Sequence, residues 1–146
     1  MISVSLADGR DLPFLRKTEA EVFSDAWSES SLSSHLTSET ALALVAKDGD
    51  RPLGYLLGVA LAPESELYRI AVLPSARRMG VARRLLDAFF ALLRDRSCET
   101  VYLEVRESNH AARGLYDSVG FSKVGIRKNY YHRPSENAVI LVKGLV

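Results

Sequence analysis

Apolar positions along the chain follow two rhythms, one of period two and one of period 3.6. Residues 2–6 alternate apolar with small polar side chains, as a strand does. Residues 41–46 and 53–61 are apolar runs separated by Lys47-Asp48-Gly49-Asp50-Arg51-Pro52. Asp-Gly is a strong hairpin signal, so these two runs are predicted to be antiparallel neighbours. Residues 67–73, Leu-Tyr-Arg-Ile-Ala-Val-Leu, form a short buried strand that Pro74 ends, since proline cannot donate to a ladder. In residues 100–105 the alternation puts Val101, Leu103 and Val105 on one face, and Tyr102, Glu104 and Arg106 on the other. Residues 121–127 and 138–142 make a last strand pair around a loop holding Tyr130, Tyr131 and Pro134.

Helical spacing fills the gaps. Asp11 is a suitable N-cap and Pro13 is tolerated in a first turn, so a helix starts there with Leu12, Leu15, Ala20 and Phe23 inward. A short second helix covers residues 30–37, anchored by Trp27, Leu32 and Leu36. From Val81, a third places Leu85, Leu86, Phe89, Phe90, Leu92 and Leu93 on one broad face and ends near residues 94–97. Ser108-Asn109 caps a fourth over residues 111–119, which Gly120 closes. This order predicts an α/β (α+β) domain: a mixed central sheet with helices on both faces. No repeat or linker divides it, so residues 1–146 are expected to form one domain.

Composition narrows the function. Hydrophobic residues make up 47% and charged ones 25%, the balance of a soluble globular protein. A net charge of +1 directs the chain to neither nucleic acid nor membrane, although arginines cluster between Arg77 and Arg84. The single cysteine, Cys98, rules out an internal disulfide and a thiolate metal cluster. His35, His110 and His132 lack metal-ligand spacing, so no metal is expected. With no apolar leader or spanning run, a cytoplasmic enzyme is the simplest class.

The chemistry concentrates in Arg77-Arg78-Met79-Gly80-Val81-Ala82. The first N–H groups of a helix are unpaired and the helix dipole adds positive charge there, so this turn suits a phosphate or pyrophosphate. Neither Gly-x-x-x-x-Gly-Lys-Ser/Thr nor Gly-x-Gly-x-x-Gly is present, which makes it a cradle of another type. The segment resembles the acyl-CoA pyrophosphate loop of the GNAT superfamily of N-acetyltransferases, Gln/Arg-x-x-Gly-x-Gly/Ala, with Arg77, Gly80 and Ala82 at its defined positions. Leu103-Glu104-Val105-Arg106-Glu107-Ser108-Asn109, Leu115 to Phe121 and Asn129-Tyr130-Tyr131 resemble the RimI-type branch, bacterial enzymes that acetylate the N-terminal amine of a small-subunit ribosomal protein.

That resemblance implies the GNAT fold, with the strands at Leu67 and Thr100 parallel and splayed around acetyl-CoA. It implies Glu104 as general base and Tyr116 as general acid. It also assigns Ile70, Ala71 and Val72 to the acetyl and pantetheine arm, and Arg77, Arg78, Met79, Gly80, Val81, Ala82 and Arg83 to the pyrophosphate. Asn109 would contact the cofactor, a role compatible with capping its helix. The acceptor would be a protein N-terminus, with Trp27-Ser28 and the Tyr130-Tyr131 pair beside it. Alternatives stay open on the residues alone. Glu104 could be an ion-paired carboxylate held by Arg106 or Arg69, Tyr116 could be a core tyrosine, and Glu66 is a rival base. The acceptor could instead be a lysine or a small amine. The chain could also be a CoA-binding module without turnover, or a nucleic-acid binder using its basic patch.

Overall fold

The computed structural model describes residues 1–146. The chain runs β1 (Ile2–Leu6), α1 (Leu12–Val22), α2 (Glu29–Thr37), β2 (Ala41–Asp48), β3 (Arg51–Leu61), β4 (Glu64–Val72), α3 (Val81–Asp95), β5 (Thr100–Arg106), α4 (His110–Ser118), β6 (Ser122–Tyr131) and β7 (Glu136–Gly144). The strands form one seven-stranded sheet in the order β1-β2-β3-β4-β5-β7-β6. Every neighbouring pair is antiparallel except β4 and β5, which are parallel. No helix is long and apolar enough to cross a membrane.

Helices cover both faces. On one, α3 buries Leu85, Leu86, Phe89, Phe90 and Leu93 against β2, β3 and β4, and Tyr116 of α4 and Val119 just after it join the same core. On the other, Leu15 of α1 and Leu32 of α2 pack on Ala43, Tyr55, Leu57 and Ala71. The α1 stripe differs from the sequence expectation: Leu15, Thr18 and Glu19 are buried, whereas Ala20 is exposed. The expected loop at Tyr130 and Tyr131 is instead strand, since β6 continues to Tyr131 and pairs it with Glu136.

The feature that opens the site lies in β4. Against β3 its register slips between Leu57↔Arg69 and Gly58↔Leu67, leaving Tyr68 as an extra residue. Such a bulge reverses which face the following side chains occupy. Leu67 accordingly belongs to the α3 core, yet Ala71 packs with α1 and α2, and Ile70 and Val72 turn to the α3 side. Pairing with β5 ends at the same place: it covers only Glu64↔Thr100 to Leu67↔Leu103, although both strands continue. The sheet splits beyond Leu67, and the inner edges of both strands are left without a ladder partner.

Candidate active site

The split leaves a cleft of about 380 Å³. Ile70, Ala71, Val72 and Arg77 line one wall, and Glu104, Asn109 and Tyr116 the other. Seven of the residues singled out in the sequence therefore meet in one cavity. The unpaired N–H and C=O groups of β4 after Leu67 face this gap, and they can bind an extended amide-bearing chain as a further strand would.

The cleft leads to the start of α3. Gly80 is its N-cap with φ +77°, and Arg78 before it also has a positive φ, 66°. No side chain caps this helix and its first turn carries no acid, so the N–H groups of Val81, Ala82 and Arg83 lie free in a basic loop. A Cβ at Gly80 would meet no protein atom within 4 Å, so the space above the glycine is open to a ligand. The side chains of this loop divide. Arg77 faces the cleft and Arg78 and Met79 are exposed, while Val81 is buried in the core and offers only its backbone. Arg83 lines a separate depression with Phe90, Arg94 and Lys143.

Glu104 stands where the cleft meets two further cavities. One, about 330 Å³, includes Glu66, Tyr102 and Arg127; the other, about 220 Å³, includes Asp25, Trp27, Tyr130 and Tyr131. Glu104 and Tyr68 line all three. The Glu104 side chain is 17% exposed. Its Oε1 lies 3.3 Å from Arg127, whereas Oε2 is buried with no hydrogen-bond partner. The alternative of an arginine-paired carboxylate is met by Arg127 and by neither Arg106 nor Arg69, since Arg106 pairs with Glu136 and Arg69 with Glu19 and Asp25. Arg127 reaches Glu104 from β6 and also lies 4.9 Å from the Tyr130 ring.

Glu66 is adjacent on β4, and its pKa is raised from the ordinary value of 4.5, first by burial and then by the Glu104 charge. Tyr116 is 7% exposed, and burial raises its phenol well above the ordinary 10. Tyr131 is pushed up to about 12, by burial and then by the charge of Glu104. Asn109 caps α4, its Oδ1 accepting from Ala112 N–H at 3.1 Å.

One residue beneath the 220 Å³ cavity, Glu19, escaped the sequence reading. Glu19 is fully buried on α1, where its two oxygens accept from the Tyr55 hydroxyl and the Trp27 N–H, both at 3.0 Å. Its position one helical turn after Leu15 placed it on the inward stripe, and a buried acid requires partners. Trp27 in turn contacts His35 and Tyr68, giving the 220 Å³ cavity an aromatic floor.

Comparison with known proteins fits this geometry. The Acetyltransferase (GNAT) family pattern matches residues 12–121. The chain belongs to the GNAT acetyltransferase family. It is 34% identical over 144 residues to the ribosomal protein bS18-alanine N-acetyltransferase of Haemophilus influenzae, covering 97% of each chain. The crystal structure of the corresponding enzyme from Escherichia coli superposes with a TM-score of 0.91 at 32% identity, covering 99% of this chain and 94% of that one. Arabidopsis thaliana NAA60, solved with acetyl-CoA, shares the fold with a TM-score of 0.88 at 17% identity over 99% and 98% of the two chains.

Proposed function

We propose that this protein transfers an acetyl group from acetyl-CoA to the N-terminal α-amine of a protein, with a small-subunit ribosomal protein as acceptor, by direct attack in a ternary complex. The observation that carries the reading is the split between β4 and β5, which opens a free strand edge and a basic helix start on one side of Glu104 and an aromatic-floored cavity on the other. Whole-chain likeness to bS18-alanine acetyltransferases supports the acceptor class. Ribosomal proteins are made in the cytoplasm, and the reaction belongs there. We assign residues 1–146 to a single catalytic domain.

Acetyl-CoA supplies an activated acyl carbon and a thiolate leaving group. The β4 edge at Ile70, Ala71 and Val72 orients the pantetheine arm. Gly80, with the N–H groups of Val81, Ala82 and Arg83, holds the pyrophosphate, and Arg77 and Arg78 add charge. Asn109 keeps α4 in register beside this arm. On the acceptor side, Glu104, which lines the cleft and both neighbouring cavities, takes the proton that the attacking amine must lose. As the C–N bond forms and the C–S bond breaks, Tyr116 donates a hydrogen bond to the departing sulfur. Its raised pKa makes it a stabilising donor more than a full acid.

An α-amine has a pKa of about 7.7–8.0 against about 10.4 for lysine, so a modest base suffices for an N-terminal substrate. The test is a pair of peptides with the sequence of a bS18 N-terminus, one free and one blocked at the N-terminus but carrying an internal lysine. Rapid acetylation of the free peptide alone is expected. Equal rates on both would instead favour a lysine acetyltransferase.

A further inference from the structure

A charged network that neither proton transfer nor cofactor binding uses runs along the wall between the thioester cleft and the acceptor cavity, where Arg69 and Asp25 line both. Arg69, the residue after the β4 bulge, points to the α1 face because Tyr68 has reversed the alternation. Its guanidinium lies 3.5 Å from the fully buried Glu19 carboxylate and reaches across to Asp25. There it donates to the backbone carbonyl at 2.7 Å and pairs with the carboxylate at 3.2 Å. The same group lies 4.3 Å from the centre of the Phe23 ring. Glu19 meanwhile holds the Trp27 N–H and the Tyr55 hydroxyl. The segment between α1 and α2, residues 23–28, is thus tied at Phe23, Asp25 and Trp27 to one arginine and one glutamate. Phe23 and Asp25 line the thioester cleft, and Asp25 and Trp27 line the acceptor cavity.

We propose that Arg69, acting through Asp25 and Glu19, is a positioning residue that fixes the wall shared by the acceptor amine and the thioester. This rests on the functional reading above, which assigns those cavities to the two substrates. The bond-making atoms meet across this wall, and a shift of about 1 Å in a positioned group can cost roughly 10²-fold in rate. Arg69 is suited to the task by its planar fork, which reaches two carboxylates and a carbonyl at once. A lysine presents a single point charge and cannot span them.

The experiment compares wild type with Arg69→Met, Arg69→Lys and Asp25→Ala. Asp25 is half exposed, so the last variant removes its carboxylate from the outer tie and leaves the bond to its backbone carbonyl and the buried Glu19 pairing in place. Steady-state kinetics on a free N-terminal peptide, acetyl-CoA affinity by calorimetry and hydrogen exchange of residues 23–28 are read on each. Arg69→Met is expected to lower kcat/KM for the peptide by about 10–100-fold. Acetyl-CoA affinity should stay within about threefold, a small change on the logarithmic scale of binding free energy. Exchange at Trp27 should speed up, with partial recovery in Arg69→Lys and a smaller effect of the same kind in Asp25→Ala. If Arg69→Met misfolds, Asp25→Ala alone decides. Unchanged exchange together with unchanged peptide kinetics in Asp25→Ala would overturn the proposal, as would equal loss in Arg69→Lys and Arg69→Met. A wild type that acetylates no N-terminal peptide would sink the functional reading instead. The exchange measurements then judge the tie by themselves, supporting it if residues 23–28 loosen and rejecting it if they do not.

Discussion

At the scale of single residues, two carboxylates of similar sequence context have different surroundings. Glu104 has one paired and one free oxygen, whereas Glu66 is raised by burial and by its neighbour's charge. Glu104→Gln is expected to lower kcat by about 10²–10⁴-fold while leaving acetyl-CoA binding intact, and higher pH should recover part of the loss by neutralising more of the amine in solution. A pH–rate profile on both proteins checks this, and a Gln variant as active as wild type at every pH would pass the role of base to Glu66. Glu66 itself should be visible in stability. Between the ordinary pKa of 4.5, which the unfolded chain shows, and the raised value in the fold, the native state holds more protons than the unfolded one. The Glu66 contribution to stability should therefore fall as pH rises through that window, read as the difference between wild type and Glu66→Gln in urea titrations carried upward from the ordinary pKa. Glu104, Tyr116 and the Arg77 loop were legible because they lie in short contiguous motifs. The Arg127 partner of Glu104 was not, since it comes from β6 across the intervening β7. No local pattern links two residues brought together by sheet order.

At the scale of elements, period-two and period-3.6 patterns located all seven strands and four helices. They could not reveal the bulge, because Leu-Tyr-Arg-Ile-Ala-Val reads as an unbroken strand. Apolar side chains occupy both faces there, so the alternation that would expose a slip is missing. Its counterpart on β3 is Gly58, where a Cβ would come within 2.6 Å of the Phe89 ring and 2.8 Å of the Glu66 carbonyl oxygen. Glycine at this position allows α3 to sit close on the sheet beside the split. Gly58→Ala must displace either the ring or the β4 backbone, an overpacking that costs about 1–3 kcal/mol. A chain of this length should lose several degrees of Tm, at roughly 2–4 °C per kcal/mol. Trimming the ring in Gly58→Ala/Phe89→Leu should recover part of the space. A double-mutant cycle on Tm and kcat/KM separates the two routes of strain. Additivity would show that the ring does not feel the added methyl, and would leave the Glu66 backbone as the group that moves.

At the scale of the whole molecule, the fold is a sheet held closed at one end and open at the other. The parallel pairing of β4 and β5 spans only Glu64 to Leu67, and both edges beyond it lack partners. Acetyl-CoA binding should complete that gap, and a ligand that binds only the native state stabilises it by RT ln(1 + [L]/Kd). At a concentration about 100 times Kd this gives about 2.7 kcal/mol. For a chain of 146 residues the corresponding rise in Tm is on the order of 5–11 °C. Gly80→Val should abolish most of the rise. The valine side chain would enter space that holds no protein atom but lies over the free helix start, so it competes with the pyrophosphate and not with the core. The left-handed φ of +77° adds a cost of about 1–2 kcal/mol for a side chain with a Cβ, which lowers the ligand-free Tm slightly. The informative quantity is thus the ligand-induced shift in each protein, measured by differential scanning calorimetry with and without acetyl-CoA. A full shift in the folded Gly80→Val variant would remove the α3 start from the binding site and leave the β4 edge as the main contact.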